Sequence, residues 1–157
     1  MNAIVKVARI AAVMLIITLL PACKNKSAYL HFETLPTEGW HQDSVLRYVL
    51  TTEDSQGVYD LMFHIRHTPA YPYQNMWLFV TRTSGEVRQT DTLELYLADG
   101  RGAWLGNGRN GLITMPVIYD EQVRLGGDTM TITIQHGMRD SMLRGVQDVG
   151  VELIVDN

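Results

Sequence analysis

Val58-Tyr59-Asp60-Leu61-Met62-Phe63-His64-Ile65-Arg66-His67 is the stretch that decides the fold. Tyr59, Leu61, Phe63 and Ile65 fall on one side of an extended chain; Asp60, Met62, His64 and Arg66 fall on the other. Neighbouring side chains of a strand point to opposite faces, so this segment is a strand with one dry and one wet face. The same period of two recurs in 129–135, where Met130, Ile132 and Ile134 oppose threonines, and again in 149–155. Leu93, Leu95 and Leu97 face away from Thr92, Glu94 and Tyr96. Segments 45–52 and 75–82 are apolar on both sides, the pattern of central strands. Between these runs lie turn residues: Glu53-Asp54-Ser55-Gln56-Gly57, Thr83-Ser84-Gly85-Glu86, Asp99-Gly100 and Gly126-Gly127-Asp128. No long segment repeats with a helical period, and the best helical candidate is a short turn around Met138 to Arg144. The expectation is an all-β protein, an antiparallel β-sandwich of about seven or eight strands, either Ig-like or jelly-roll.

Size and composition are consistent with this. At 157 residues the chain has room for one core, and 46% hydrophobic against 19% charged residues excludes a disordered chain, a collagen-like repeat and a coiled coil. A net charge of −4 argues against a nucleic-acid partner, because phosphate binding calls for a basic surface. One cysteine can make neither an internal disulfide nor a thiolate metal site by itself.

That cysteine stands at a telling place. Lys6 and Arg9 precede an uncharged run, Ile10 to Leu20. As a helix the run reaches about 16 Å, roughly half of a ~30 Å hydrocarbon core, so it reads as the apolar part of an export signal and not as a membrane span. It ends Leu19-Leu20-Pro21-Ala22-Cys23, which resembles a bacterial lipobox; Leu20, Ala22 and Cys23 fit, whereas Pro21 stands where a small residue is usual. The alternative is an ordinary signal peptide cut after Ala22, leaving Cys23 as an idle thiol. On the lipobox reading, residues 1–22 are a lipoprotein signal peptide, 23–30 a lipidated N-terminus with a short linker, and 31–157 the sandwich domain. Removal of 1–22 takes two of the 13 basic residues and none of the 17 acidic ones, leaving a net charge of −6. An anionic leaflet would repel such a body. Acyl chains on Cys23, at about 0.8 kcal/mol per buried methylene, would therefore be the anchor.

Several clusters invite a chemical reading. Gly106-Asn107-Gly108-Arg109-Asn110-Gly111 spells the dinucleotide-binding pattern, but the β-rich, Pro116-containing segment after it is not the helix whose N-terminus would hold a pyrophosphate; a glycine-rich loop between strands is expected instead. His64 and His67 are three apart on a strand and face opposite sides, so they cannot share a metal ion. His31, His41 and His136 read as isolated surface or strand-end residues. Ser44 and Ser141 lie in no nucleophile elbow, and acid pairs such as Asp120-Glu121 read as solvated surface. No cofactor is expected beyond the covalent lipid, and no enzyme. Tyr71, Tyr73, Trp77, Phe79 and Trp104 could form a platform for a glycan or a peptide; otherwise Trp77 and Phe79 fill the core while Tyr71 and Tyr73 brace a loop.

Read in order, Tyr71-Pro72-Tyr73-Gln74-Asn75-Met76-Trp77-Leu78-Phe79, Asp91-Thr92-Leu93, Gly102-Ala103-Trp104-Leu105-Gly106-Asn107-Gly108, Gln135-His136-Gly137-Met138-Arg139 and Leu143-Arg144-Gly145-Val146-Gln147-Asp148-Val149-Gly150 resemble the GldH family of gliding-motility lipoproteins of the Bacteroidetes. The resemblance spans nearly the whole chain after Cys23. It implies a non-enzymatic, lipid-anchored envelope protein whose partners are proteins of the gliding or associated secretion apparatus. It carries over no functional residue apart from Cys23. Lys24-Asn25-Lys26 is basic where surface-exported lipoproteins of that phylum carry acids, which points to the periplasmic side of the outer membrane. Within the motifs, Tyr71-Pro72-Tyr73 would set a rigid loop ahead of Asn75, and Arg139, Asp148 and Asp91 could pair at one end of the sandwich. These groups with Trp104 could also form a docking patch; a carbohydrate-binding module remains the alternative.

Overall fold

The structure, a computed structural model, describes residues 26–52, 57–125, 127 and 129–156. The signal segment, Cys23, most of the first expected turn, and Gly126 and Asp128 of the last lie outside the described residues. The described chain holds eleven strands: β1 (Ser27–Thr34), β2 (Trp40–His41), β3 (Leu46–Thr51), β4 (Tyr59–His67), β5 (Asn75–Ser84) and β6 (Val87–Tyr96), followed by β7 (Asn107–Arg109), β8 (Leu112–Val123), β9 (Thr129–His136), β10 (Met142–Leu143) and β11 (Val146–Val155).

One sheet runs β1-β11-β4-β8-β7, a second β3-β9-β5-β6, and β10 pairs with β2 apart from both. The pairings are antiparallel and nested. β1 pairs with β11, β3 with β9, β4 with β8 and β5 with β6, as when one long hairpin is rolled up into two layers. This is the jelly-roll alternative. Eight strands have six or more residues, in agreement with the sequence reading; β2, β7 and β10, at two or three residues, are too short to show a period.

The core lies between the two sheets. β4 alternates as its sequence dictates, with Tyr59, Leu61, Phe63, Ile65 and His67 buried. Val149, Val151 and Leu153 of β11 extend that inner face, and Met76, Leu78, Val80, Met130, Ile132 and Ile134 of β5 and β9 meet it from the other sheet. Each such side chain contributes about 1.5–3 kcal/mol on leaving water. Tyr48 Oη donates to the carbonyl of Val149 across the layers at 2.8 Å, so the buried phenol is satisfied. At one rim the Arg82–Asp120 ion pair and the Tyr119 hydroxyl, donating to Asp91, tie β5 and β6 to β8.

Three expectations are corrected. β3 is an edge strand, and Val49 on it and Val45 just before it are 45% and 54% exposed among the described residues. The Met138–Arg144 segment is no helix: Met142 and Leu143 extend to pair with His41 and Trp40, which buries Leu143 and Trp40 completely. β1 begins at Ser27 opposite Ile154, inside the 23–30 stretch expected as linker, since residues 27–30 find backbone partners on β11. His136 closes β9, the strand-end alternative of the sequence reading, and is buried there. The glycine-rich loop does join strands: Asn110 (φ +51°) and Gly111 (φ +77°) make the turn between β7 and β8.

The sandwich has two distinct poles. Lys26, Val155 and Tyr59 lie together at one, where Val155 N–H donates to Lys26 O at 2.9 Å. His67, Val146 and Ile113 lie at the other, about 26 Å away along β4. At that far pole Gly145 has φ +84°, and an added Cβ would meet the Tyr71 backbone N and Cα at 2.6 and 2.7 Å. Gly85, with φ +57°, has nothing within 4 Å. Gly145→Ala is therefore expected to cost about 3 kcal/mol or more in urea denaturation, and Gly85→Ala about 1 kcal/mol.

Candidate functional site

Most of the family-like motifs converge on the far pole, whereas Asp91-Thr92-Leu93 lies in the middle of β6. β4 ends there in His67, and the loop to β5 carries Tyr71, Pro72 and Tyr73. Tyr71 is buried; its hydroxyl donates to Asn75 O at 2.8 Å, which closes the loop onto the start of β5. Pro72 is exposed and fixes the backbone between the two tyrosines. Trp104, half-buried, stands edge-on to His67 with ring centres 4.5 Å apart and lies 6.5 Å from Tyr71. Tyr73 Oη donates to Asp140 Oδ2 at 2.7 Å, bridging the β4–β5 loop to the segment after β9.

Beside this brace lies an open pocket of about 380 Å³ lined by Tyr73, Asn75, Trp77, Gly137, Met138 and Arg139. Its wall exists because β5 alternates: Met76, Leu78 and Val80 go inward, leaving Trp77 38% and Phe79 45% exposed on the outer face. Gly137 N–H donates to Trp77 O at 2.7 Å, and the Trp77 backbone N–H points at the Met138 sulfur at 3.3 Å, which holds the thioether against β5. A Cβ on Gly137 would stand 3.0 Å from the Phe79 ring, so glycine permits the close approach. Asn75 Nδ2 donates to Glu94 Oε1 at 2.6 Å and is thereby oriented. Arg139 is exposed at the rim and makes no ion pair among the described residues. Two aromatic rings, a polarizable thioether and a cation suit an apolar side chain accompanied by a carboxylate.

Of the residues singled out from the sequence, the fold brings Tyr73, Asn75, Trp77 and Arg139 into this pocket, with Pro72 close by in sequence. The idea that Trp77 and Phe79 fill the core is overturned, since their parity on β5 turns them to solvent. A platform of Tyr71, Tyr73 and Trp104 fails too, because Tyr71 is 3% exposed and Trp104 packs behind it. The proposed grouping of Arg139, Asp148 and Asp91 does not occur. Asp148 on β11 is buried against Thr34 Oγ1 at 2.7 Å and Arg66 Nη2 at 3.0 Å, while Asp91, mid-β6, accepts from Tyr119. His64 pairs with Glu152 at 2.7 Å on the outer face, opposite His67 in direction. Asp140, which orients Tyr73, carried no signal of its own among the 17 acids, and Glu94, which orients Asn75, read only as solvated surface. Cys23 lies outside the described residues.

Two buried imidazoles underlie the pole. His67 Nδ1–H donates to Thr68 O and His136 Nε2–H to Trp40 O, each at 3.1 Å, while the other ring nitrogen of each has no partner. Burial, partly offset by those carbonyl contacts, holds both pKa values below the ordinary histidine value. Beneath about pH 6.5 the unfolded chain then binds more protons than the folded one, and stability is lost as the pH is lowered. Unfolding free energies from urea titrations between about pH 7.5 and 5.5 should decline as the pH is lowered, with a limiting slope of about 1.4 kcal/mol per pH unit for each histidine, and His67→Gln should remove its share.

Comparison with known proteins gives the following. The family model described as GldH lipoprotein matches residues 27–153. A curated relative, the gliding motility lipoprotein GldH homolog of Christiangramia forsetii, is 31% identical over 87% of this chain and 89% of its own length. The gliding motility lipoprotein GldH of Flavobacterium johnsoniae is 29% identical over 86% of this chain and 89% of its own. Among solved structures, the Yersinia pseudotuberculosis-derived mitogen aligns over 85% of this chain and 89% of its own at 7% identity and a TM-score of 0.36.

Proposed function

The chain belongs to the GldH lipoprotein family, and from that premise we propose that it is a non-enzymatic accessory component of the gliding or associated secretion apparatus, held in the cell envelope by lipid on Cys23. Its task on this reading is to dock another envelope protein at the Tyr73–Trp77–Met138–Arg139 pocket. The carrying observation is the pocket itself: family-like motifs far apart in sequence place exposed aromatics and an unpaired cation at one pole.

The position of that pocket supports the reading. It stands at the pole opposite Lys26, about 26 Å along the strands from where the chain enters the fold. Only Lys24 and Asn25 separate Cys23 from Lys26, so a lipid on Cys23 would hold the Lys26 pole near the membrane and present the pocket away from it. The outer membrane, with the domain facing the periplasm, is the proposed location. Solvent-exposed aromatics beside an arginine are the residue types that dominate protein docking energies.

In-cell cross-linking with the full chain tests this. Trp77→Ala and Arg139→Glu should each leave thermal unfolding within about 3 °C of the parent yet reduce the cross-linked partner about tenfold or more. Trp104→Ala, by contrast, should lower the unfolding temperature, because that half-buried ring packs on His67 and the core. Cys23→Ser should abolish acylation and release the protein from the membrane fraction. Retention of the partner by both pocket variants would refute docking at this site, and an unmodified Cys23 thiol in the native protein would refute the anchor.

A further inference from the structure

Among the described residues the two large sheets end in four strand edges, and two of them are blunted. β1 is irregular between Ser27 and Tyr29 and β7 has only three residues, while β3 is regular but six residues long. The part of β8 that extends beyond β7 contains Pro116, two register irregularities and Gln122 at φ +56°. β6 differs. It runs ten residues in unbroken register with β5, from Ser84 opposite Val87 to Asn75 opposite Tyr96, with neither Pro nor Gly. A long regular edge of this kind is a template for another strand.

Its orientation follows from the turn. Only Gly85 and Glu86 separate Ser84 from Val87, so that closing pair is hydrogen-bonded and the ladder alternates from there. The backbone groups of Arg88, Thr90, Thr92 and Glu94 therefore point away from β5 to the open edge. No turn or loop hydrogen bond among the described residues uses them.

We infer that β6 pairs with β6 of a second copy of this chain, antiparallel about a two-fold axis at Asp91. In that register Arg88 stands opposite the partner's Glu94, and by symmetry Glu94 opposite the partner's Arg88; Thr90 and Thr92 exchange in the same way. All four are outward-bonding positions, and opposite-charge and Thr–Thr pairs are favourable neighbours across an antiparallel ladder. Moving the axis to Thr90 or Thr92 sets Arg88 against Thr92 or Tyr96 and loses both ion pairs. The edge is thus self-complementary in one register, as an isologous interface must be. Asp91, which meets its own copy at the axis, is turned inward to accept the Tyr119 hydroxyl of its own chain. Glu94 accepts from Asn75 and Tyr96, which fixes its carboxylate on the outer face of β6 and leaves lone pairs for an arginine. Pairing joins two four-stranded sheets into one of eight.

Sedimentation of the full chain in detergent micelles tests the inference. A reversible monomer–dimer equilibrium is expected. Arg88→Glu or Glu94→Arg alone should weaken it about tenfold or more, and the double variant should restore it to within about threefold. Val49→Glu, on the β3 edge, should have no effect. Under mild oxidation Asp91→Cys should cross-link to its copy and Val49→Cys should not, a readout that stands if a charge variant fails to fold. A chain that stays monomeric at about 100 μM, a dimer indifferent to the single reversals, or a folded Asp91→Cys variant that does not cross-link would overturn it.

Discussion

Burial of one face of β4 is the constraint from which the rest of the molecule follows. β4 is flanked by β8 and β11, and its inner row from Tyr59 to His67 is dry along its whole length. A one-residue slip would bring Asp60, His64 and Arg66 inside and expel Leu61, Phe63 and Ile65. Each reversed pair costs several kcal/mol, so the register of β4 fixes those of both neighbours. The nested pairing then brings the first strand beside the last, β1 against β11.

The pocket is what this arrangement leaves over. The inner face of β5 takes Met76, Leu78 and Val80, so Trp77 and Phe79 must stand outside. An ordinary solvent face would carry threonines there, as β9 does at 129, 131 and 133. Around the exposed pair the polar groups are held by neighbours: Tyr73 by Asp140, Asn75 by Glu94. Such fixed side chains lose little entropy when something binds. Behind them His67 and His136 occupy core positions that an apolar residue could fill, each with one ring nitrogen unsatisfied, so the same pole is where the fold is least comfortable in acid.

Much of this was legible in the sequence, for reasons that also explain the rest. Alternation in β4, β9 and β11 is strong because those strands have one dry face, and the layer class follows from it. β5 reads as apolar throughout, and sequence alone does not say which half of such a run is inside. The answer came from the layer packed against Met76 and Leu78, and it moved Trp77 from core to surface. Tyr71 and Trp104 look like site residues for the same reason that Trp77 looks like core, since aromatic rings serve both uses. β2, β7 and β10 have two or three residues each, below any period. The partners of Asp148 and Asp91 lie on strands remote in sequence, so local spacing held no trace of them.

The separation of the two poles has a mechanical side. A pull between the residues preceding Lys26 and a body gripping Trp77 runs nearly parallel to the strand axes. Load entering β1 at Ser27 then falls on all the rungs between β1 and β11 at once, because sliding one strand past the other must stretch every rung together. Traction applied crosswise at the same point would open them one by one, at far smaller force. The fold is braced against tension along its own length.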